Sequence, residues 1–349
     1  MLTGTIVRLD CDGLCGNTHA MTDRKTRIAL NGFGRIGRSI LRILRGTDLP
    51  FELVLINDIQ PLDVCAYLFE YDSVFGRFSG SVSYDAGCLI LDGAPIDFRH
   101  TQDLSTLDLS NVDVVLECTG LAGNRAIATR GMDAGAGAVL ISGPSDTADK
   151  TIVLGANDHE LGVAKIVSNA SCTTNALAPL LRVLDEAYGV ESGHMTTVHC
   201  YTGSQPTVDK PGADFARSRA AALSMVPTST SAQRLCGEVL PHLAGRIEAR
   251  AIRVPTASVS AIDLTVQTRA SVTTDMVRTY LKEASSNILG WTEQPLVSSD
   301  LRMRPESLVL VGPELSVSVG GLLRVFGWYD NEWGFSMRML ELAQRMAQR

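Results

Sequence analysis

A cysteine lies where the sequence predicts the first turn of a helix. Cys172 lies within Ala170–Asn175 (ASCTTN). We expect the helix to end at Gly189 and to bend, but not break, at Pro179. One predicted face of this helix carries Leu177, Leu180, Leu181 and Leu184. Backbone N–H groups at a helix N-terminus favour a thiolate and can hold the oxyanion that forms when sulfur attacks a carbonyl. The pattern predicts a nucleophilic cysteine, with a buried structural cysteine as the alternative.

A histidine that lies 27 residues after Cys172 could activate its thiol. His199 ends the predicted strand Met195–His199. Cysteine nucleophiles commonly need a nearby histidine, which holds the thiolate as an ion pair and then moves a proton. We therefore expect an imidazolium–thiolate pair of His199 and Cys172, although a lone histidine is as often a core or surface residue.

A glycine-rich turn joins two elements near the start of the chain. The predicted strand Arg27–Leu30 runs into Asn31–Gly37 (NGFGRIG), and apolar residues keep helical spacing up to Gly46. A second strand, Phe51–Ile56, is followed by Asp58, which lies 21 residues after the last glycine of the turn. This order predicts a dinucleotide site with the pyrophosphate at the helix N-terminus. Asp58 would accept hydrogen bonds from ribose hydroxyls and repel the extra phosphate of NADP, so the predicted cofactor is NAD.

The helices and strands that must position these residues follow one pattern before Cys172 and another after it. Strands alternating with helical stretches predict an α/β domain with a doubly wound parallel sheet of the Rossmann kind. Its further strands are predicted at Asp113–Cys118, Ala138–Ser142, Thr151–Leu154 and Lys165–Ser168. After Cys172, an α+β domain with a largely antiparallel or mixed sheet is predicted from Met195–His199, Ser258–Thr268 and Leu322–Tyr329. A long ordered loop is expected over Tyr201–Leu223, and a final helix over Ser336–Met346.

Length and composition predict a soluble protein of two domains. The 349 residues are 45% hydrophobic and 20% charged, and no apolar run is long enough to cross a bilayer. A net charge of −7 without a basic stripe argues against a nucleic-acid partner. The eight cysteines and six histidines lack metal-ligand spacing, so no metal site is predicted. We expect reduced thiols, a cytoplasmic location and no secretory signal in the first 20 residues.

Six motifs together make the chain resemble the phosphorylating glyceraldehyde-3-phosphate dehydrogenases. They occur in family order, and the resemblance extends from about Lys25 to the C-terminus. The motifs are Asn31–Arg38, Tyr71–Ser73, Ser168–Asn175, His199–Thr202, Arg253–Thr256 and Trp328–Glu332. The resemblance implies an NAD-dependent enzyme of glycolysis that oxidises glyceraldehyde 3-phosphate to 1,3-bisphosphoglycerate.

The resemblance also implies a role for each matching residue. Cys172 would attack the aldehyde and His199 would activate it; the resulting hemithioacetal would lose hydride to NAD, leaving a thioester that inorganic phosphate cleaves. Asn331 would hold the nicotinamide carboxamide. The implied cofactor-binding residues are Asn31, Gly32, Phe33, Gly34, Arg35, Ile36, Gly37, Asp58, Thr119, Gly120, Ser142 and Asn331.

Two anion pockets are implied by the same resemblance. The substrate phosphate would meet Thr202 and Arg253. The attacking phosphate would meet Ser171, Thr173, Arg217, Thr230 and Ser231.

The chain departs from the family pattern at several positions near this chemistry. Ser231 replaces a usual glycine at the attacking-phosphate site, and Ala176 replaces a common second cysteine. Lys210 stands where relatives that use NAD often carry an apolar residue, and Cys200 has no role that the resemblance supplies.

The implied organisation is a homotetramer of chains with two main domains. Residues 1–24 would form a disordered extension, residues 25–171 the NAD-binding domain and residues 172–330 the catalytic domain. Residues 331–349 would return to the NAD-binding domain as a helix.

Two other functions remain open at this point. Asp113–Gly120 and Trp333–Phe335 look like erythrose-4-phosphate dehydrogenase, in which water cleaves the thioester. Against it, His199–Thr202 and Thr228–Thr230 keep the hydroxyls expected of the phosphorylating enzyme. A non-catalytic NAD-binding paralogue is the more remote alternative, because the chain retains Cys172, His199 and Asn331.

Overall fold

The computed structural model describes residues 24–349. The extension expected at residues 1–24 therefore lies, except for its last residue, outside the described part of the chain. No helix within residues 24–349 combines the length and apolar character needed to cross a membrane.

Residues 24–171 form a sheet with helices on it and a short two-stranded ribbon. The strands are β1 (Thr26–Asn31), β2 (Phe51–Asn57), β3 (Tyr71–Asp72), β4 (Gly76–Arg77), β5 (Val82–Asp85), β6 (Cys88–Leu91), β7 (Ala94–Arg99), β8 (Val114–Glu117), β9 (Ala138–Ile141), β10 (Lys150–Thr151) and β11 (Ile166–Ser168). The helices are α1 (Arg35–Gly46), α2 (Leu62–Glu70), α3 (Arg125–Ala128) and α4 (Arg130–Asp133).

Residues 172–349 form a second sheet and the longest helices. The helices are α5 (Cys172–Tyr188), α6 (Ala232–Val239), α7 (Thr274–Glu283) and α8 (Trp333–Ala347). The strands are β12 (Val190–Cys200), β13 (Val226–Thr228), β14 (Ile247–Val254), β15 (Ser260–Thr268), β16 (Leu289–Thr292), β17 (Leu308–Val311), β18 (Ser316–Val317) and β19 (Leu322–Tyr329).

The first sheet confirms the predicted doubly wound architecture. Its nine strands run in the order β10-β11-β9-β8-β1-β2-β7-β6-β5, and all neighbours from β10 to β7 are parallel. Because β1 lies between β2 and β8, the chain order reverses there, and a crevice opens outside the carboxyl ends of these strands. The antiparallel pairings of β6 with β5 and with β7 at one edge were not predicted.

The predicted strand Thr151–Leu154 is mostly wrong. Only Lys150–Thr151 pairs as β10, since the N–H of Val153 donates to the side chain of Asn157 (2.9 Å) and not to a strand.

The second sheet confirms the predicted mixed type. Its main path is β13-β14-β12-β15-β19-β17-β16, with β18 added to β19. Strand β12 pairs with β14 in parallel and with β15 in antiparallel orientation. Helix α5 runs unbroken through Pro179, and its leucine face shares a core with the apolar residues of β15. Residues 201–225 contain neither helix nor strand in the described chain, as expected for the long loop.

The last helix lies on the first sheet. Met339, Leu340 and Ala343 of α8 share a core with Ile28 and Leu116 of β1 and β8. This packing joins the end of the chain to its beginning, because β19 leads directly into α8.

Two glycines let α1 start directly on the turn after β1. Gly32 has φ +96°, and a Cβ there would lie 2.6 Å from the carbonyl carbon of Cys118. A Cβ on Gly37 would lie 2.3 Å from the carbonyl oxygen of Gly32. Neither contact can relax cheaply, since both atoms that would be met belong to backbone.

We expect Gly37→Ala to lower the free energy of unfolding by about 2 kcal/mol or more, because the added methyl must displace backbone. Thermal and urea unfolding followed by circular dichroism measure this. Gly46→Ala is the matched control, since none of the described atoms lies within 4 Å of a Cβ at that end of the same helix. Equal stability of the two variants would contradict the packing argument.

Candidate active site

A pocket of about 510 Å³ lies between the start of α5 and the ends of β12 and β14. It is lined by Ser171, Cys172, Thr173, Thr197, His199, Arg217, Ser229, Thr230, Ser231, Ala251 and Arg253. A larger groove of about 610 Å³ beside α2 is lined by residues such as Tyr67, Leu68 and Tyr84 and by no cysteine or histidine. Of these two, the smaller pocket therefore contains the residue types that could do chemistry.

The start of α5 is shaped to present the thiol. Ala170 adopts φ 54°, a left-handed conformation that costs an L residue about 1 kcal/mol. Its N–H donates to the hydroxyl of Ser168 (3.1 Å). The Ser171 hydroxyl then caps the helix by accepting the N–H of Thr174 (3.1 Å). These local bonds place Cys172 at the first helical position, as predicted.

The pairing of β12 with β14 brings a histidine and an arginine to the thiol. Their register sets His199 beside Arg253. Nε2 of His199 lies 3.6 Å from Sγ of Cys172, and its Nδ1 lies 2.8 Å from Nη1 of Arg253. Nδ1 also lies 2.7 Å from the carbonyl oxygen of Cys200, and Arg253 donates to that same oxygen (3.0 Å).

Two pKa shifts disfavour the expected imidazolium–thiolate pair. Burial, followed by the charge of Arg253, lowers the pKa of His199 to about 4. Burial also raises the pKa of the Cys172 thiol above its ordinary value, although Arg253 and the contacts with Thr173 act in the opposite sense. Both shifts favour the uncharged forms of the two groups at neutral pH. Sequence spacing could not reveal this, because burial, the largest cause of both shifts, and the guanidinium on the neighbouring strand follow from the fold.

A buried tyrosine supports the pocket floor. The hydroxyl of Tyr329 lies 2.9 Å from Oγ1 of Thr173 and 2.8 Å from Oγ1 of Thr197. Sequence reasoning missed Thr197, Ser229 and Ala251 as lining residues. The sequence could have indicated Thr197, since it lies two residues before His199 and therefore on the same face of β12.

The predicted catalytic and phosphate residues meet in this pocket, except for Thr202. Its hydroxyl lies 3.0 Å from that of Ser204, outside the pocket lining. Arg217 is held by Oγ1 of Thr228 (2.7 Å) and the carbonyl oxygen of Ser229 (3.2 Å).

The loop before α6 places the hydroxyls of Thr230 and Ser231 in the pocket lining. Thr230 accepts the N–H of Ala232 (3.2 Å). Ser231 adopts φ −68°, an ordinary helical value, so this position does not need the glycine that the family usually has there. The pocket therefore gains the Ser231 hydroxyl without backbone strain.

The predicted cofactor residues lie at the carboxyl edge of the first sheet. Asp58 follows β2 and accepts the N–H groups of Phe33 (2.6 Å) and Gln60 (2.8 Å). Thr119 and Gly120 follow β8, and Ser142 follows β9. Ile36 lies in the first turn of α1 and packs partly against the core.

Three predicted cofactor side chains are engaged within the protein. Asn31 donates to Glu117 (2.5 Å) and accepts from Asn57 (2.8 Å). The guanidinium of Arg35 pairs with Asp72 and with Glu332 (2.9 Å). Phe33 is buried against Phe69. Sequence reasoning missed Glu117, a buried carboxylate that also accepts from Thr119 (3.0 Å to its N–H).

The start of α1 fits a dinucleotide. Among residues 24–349 no side chain caps this helix, and its first turn contains no acidic residue, so its N–H groups and partial positive charge face open space. None of the described atoms lies within 4 Å of a Cβ built on Gly34. Gly32 and Gly37 serve the packing of the fold, whereas Gly34 leaves room for a ligand.

Comparison with known proteins matches both halves of the chain. Residues 26–125 match the family model of the glyceraldehyde 3-phosphate dehydrogenase NAD binding domain, and residues 171–331 match its C-terminal domain. A glyceraldehyde-3-phosphate dehydrogenase of Xanthobacter flavus is 45% identical over 329 residues, covering 92% of this chain and 98% of that protein. The enzyme of Pseudomonas aeruginosa is 46% identical at the same coverage. Glyceraldehyde-3-phosphate dehydrogenase 1 of Bacillus subtilis is 40% identical, covering 93% and 98%.

In the absence of ligands, we expect the rate of Cys172 alkylation by iodoacetamide to rise with pH in a single step. The midpoint of this step should lie above the ordinary thiol pKa of about 8.5, because a raised pKa means that the thiolate forms only at higher pH. Peptide mass spectrometry at a series of pH values follows Cys172 separately from the other cysteines. A rate plateau between about pH 5 and 7 would show an ion pair with His199 and contradict the uncharged state.

We expect Gly34→Ala to weaken NAD binding at least tenfold while leaving the unfolding temperature nearly unchanged, because the methyl enters the ligand's space and meets no protein atom. Isothermal titration calorimetry and thermal unfolding measure the two effects. Gly46→Ala, at the opposite end of α1, should change neither. If Gly34→Ala binds NAD with unaltered affinity, the diphosphate of NAD does not bind at the N-terminus of α1.

Proposed function

The chain belongs to the glyceraldehyde-3-phosphate dehydrogenase family, and we propose that it oxidises glyceraldehyde 3-phosphate to 1,3-bisphosphoglycerate. Its cofactor is NAD. The observation that carries the proposal is one pocket that holds a thiol at a helix start, a histidine within 3.6 Å of it and two arginines. The relatives named above favour this activity over erythrose-4-phosphate dehydrogenase and over a non-catalytic role.

We propose that anion binding prepares His199 for proton transfer. While Arg253 donates to Nδ1, the proton of the neutral ring belongs on Nε2, which then cannot accept the thiol proton. A substrate phosphate attracts the guanidinium of Arg253 away from the ring. Nδ1 can then carry the proton and donate to the carbonyl oxygen of Cys200, which leaves the lone pair of Nε2 facing Cys172.

Cys172 then acts as the nucleophile. His199 takes the thiol proton, and the sulfur attacks the aldehyde carbon to form a hemithioacetal. The first N–H groups of α5 stabilise the oxygen that becomes negative. NAD, held by the start of α1, by Asp58 and by Asn331, supplies the hydride acceptor. The imidazolium of His199 returns the thiol proton to the oxygen of the hemithioacetal, which gives a hydroxyl and a neutral ring. When the carbon gives up its hydride, His199 takes the hydroxyl proton, and a thioester remains on Cys172.

A second anion completes the reaction. We assign Ser171, Thr173, Arg217, Thr230 and Ser231 to the inorganic phosphate. Attack of a phosphate oxygen on the acyl carbon forms the acyl phosphate and expels the Cys172 thiolate. The pocket of about 510 Å³ has room for this ion beside the acyl group, so we expect the Ser231 hydroxyl to donate to it and not to crowd it.

We also propose that the chain divides into an NAD-binding domain at residues 25–171, a catalytic domain at residues 172–330 and a C-terminal helix at residues 331–349. The packing of α8 on the first sheet supports the return of the last segment. A homotetramer in the cytoplasm is proposed from the family. Exposed apolar side chains in and just after the long loop, Phe215, Leu223 and Met225, support subunit contacts there.

We expect NADH formation from glyceraldehyde 3-phosphate to require phosphate, because the thioester is released slowly without a nucleophile held beside it. The measurement is absorbance at steady state with glyceraldehyde 3-phosphate and erythrose 4-phosphate, each with and without phosphate. Cys172→Ser should lose activity by orders of magnitude while still binding NAD. Equal rates without phosphate, or faster turnover of erythrose 4-phosphate, would contradict the assignment.

A further inference from the structure

Cys200 is a buried thiol that the mechanism does not use. It ends β12 next to His199 and is fully shielded from solvent. Its Sγ lies 3.1 Å from Oδ1 of Asn331, which is much closer than its 3.9 Å to Nδ1 of His199. Burial raises the pKa of this thiol to about 12, so it keeps its proton and acts as a donor.

This contact determines which way the Asn331 amide points. An asparagine amide presents a carbonyl oxygen at one end and an NH₂ group at the other, and only the carbonyl can accept an S–H. With Oδ1 facing Cys200, Nδ2 points away from it. Among residues 24–349, Nδ2 makes no side-chain hydrogen bond, and it is not among the unpartnered polar atoms sealed from solvent.

Other bonds fix the backbone on both sides of the contact. Asp330 accepts the N–H groups of Glu332 (3.0 Å), Trp333 (2.9 Å) and Met303 (2.8 Å), which holds the bend that carries Asn331. The N–H of Cys200 donates to the hydroxyl of Ser260 (3.1 Å). The thiol is therefore the contact that orients the Asn331 side chain itself.

We propose that Cys200 is a positioning residue that orients Asn331 to donate its NH₂ group to the carboxamide of the nicotinamide. The inference rests on the proposed role of Asn331 as the residue that meets the nicotinamide. Without the S–H donor, the amide can rotate and present its carbonyl to the cofactor, so part of the binding free energy is lost. Cys200 acts through Asn331 and does not touch the reacting atoms.

The test compares NAD with ADP-ribose, which lacks the nicotinamide. Isothermal titration calorimetry on full-length protein freed of nucleotide gives both affinities. Cys200→Ala should weaken NAD binding about fivefold, as expected for one hydrogen bond, and leave ADP-ribose binding unchanged. Cys200→Ser keeps a donor and should restore most of the NAD affinity. Cys236→Ala, which truncates another buried thiol, should change neither affinity.

Three results would overturn the inference. The first is unchanged NAD affinity in Cys200→Ala. The second is a Cys200→Ala variant that binds NAD and ADP-ribose more weakly by the same factor, which would show a structural effect only. If this variant does not fold, Cys200→Val takes its place. The third is a serine variant as weak as alanine.

Asn331→Ala separates this inference from the proposed function. If this variant loses the preference for NAD over ADP-ribose whereas Cys200→Ala keeps it, the role of Cys200 fails and the proposed function stands. If Asn331→Ala binds both ligands normally, the assigned role of Asn331 fails, and the inference fails with it. If both variants weaken NAD alone, Cys200→Ala should add nothing to Asn331→Ala, as expected for residues that act together.

Discussion

The parallel pairing of β12 with β14 is the constraint on which the site depends. It places Arg253 against His199 within a sheet whose main path is otherwise mostly antiparallel. The same strand end carries Cys200, whose carbonyl oxygen lies close to both side chains. Because the guanidinium contacts Nδ1, it adds to the effect of burial on the pKa of His199 and favours Nε2 as the nitrogen that carries the proton of the neutral ring. The chemistry of the Cys172 thiol is therefore controlled from the strand next to its histidine.

Short segments of chain join the first sheet to the pocket. Strand β11 ends at Ser168 and α5 begins at Cys172, so three residues connect the first sheet to the Cys172 thiol. At the other end of the chain, β19 leads through Asn331 into α8, which packs on the first sheet. The ion pairs of Arg35 with Glu332 and Asp72 tie this bend to the start of α1. These links give the two sheets a fixed relation at the pocket, so the loss of one would disturb binding and chemistry together.

The sequence predicted elements with strong local signals. The range Leu322–Tyr329 agrees with β19, and the thiol begins α5 because capping and leucine spacing are local. The edge strands β5 to β7 were missed because β5 and β6 have only four residues each and because β5 and β7 are mostly exposed. Long-range contacts decided the rest: Asn31 meets Glu117 86 residues away, and Arg35 meets Glu332 297 residues away. The lowered pKa of His199 likewise depends on burial and on Arg253, which no spacing within β12 encodes.

In the proposed reaction, Cys172 carries the acyl group until phosphate removes it. Intact-protein mass spectrometry after rapid mixing with glyceraldehyde 3-phosphate and NAD in phosphate-free buffer would detect this intermediate. We expect one added 3-phosphoglyceroyl group per chain, located on Cys172 by peptide mapping and lost when phosphate is added. A protein that forms NADH yet shows no adduct, or an adduct on another residue, would exclude Cys172 as the acyl carrier.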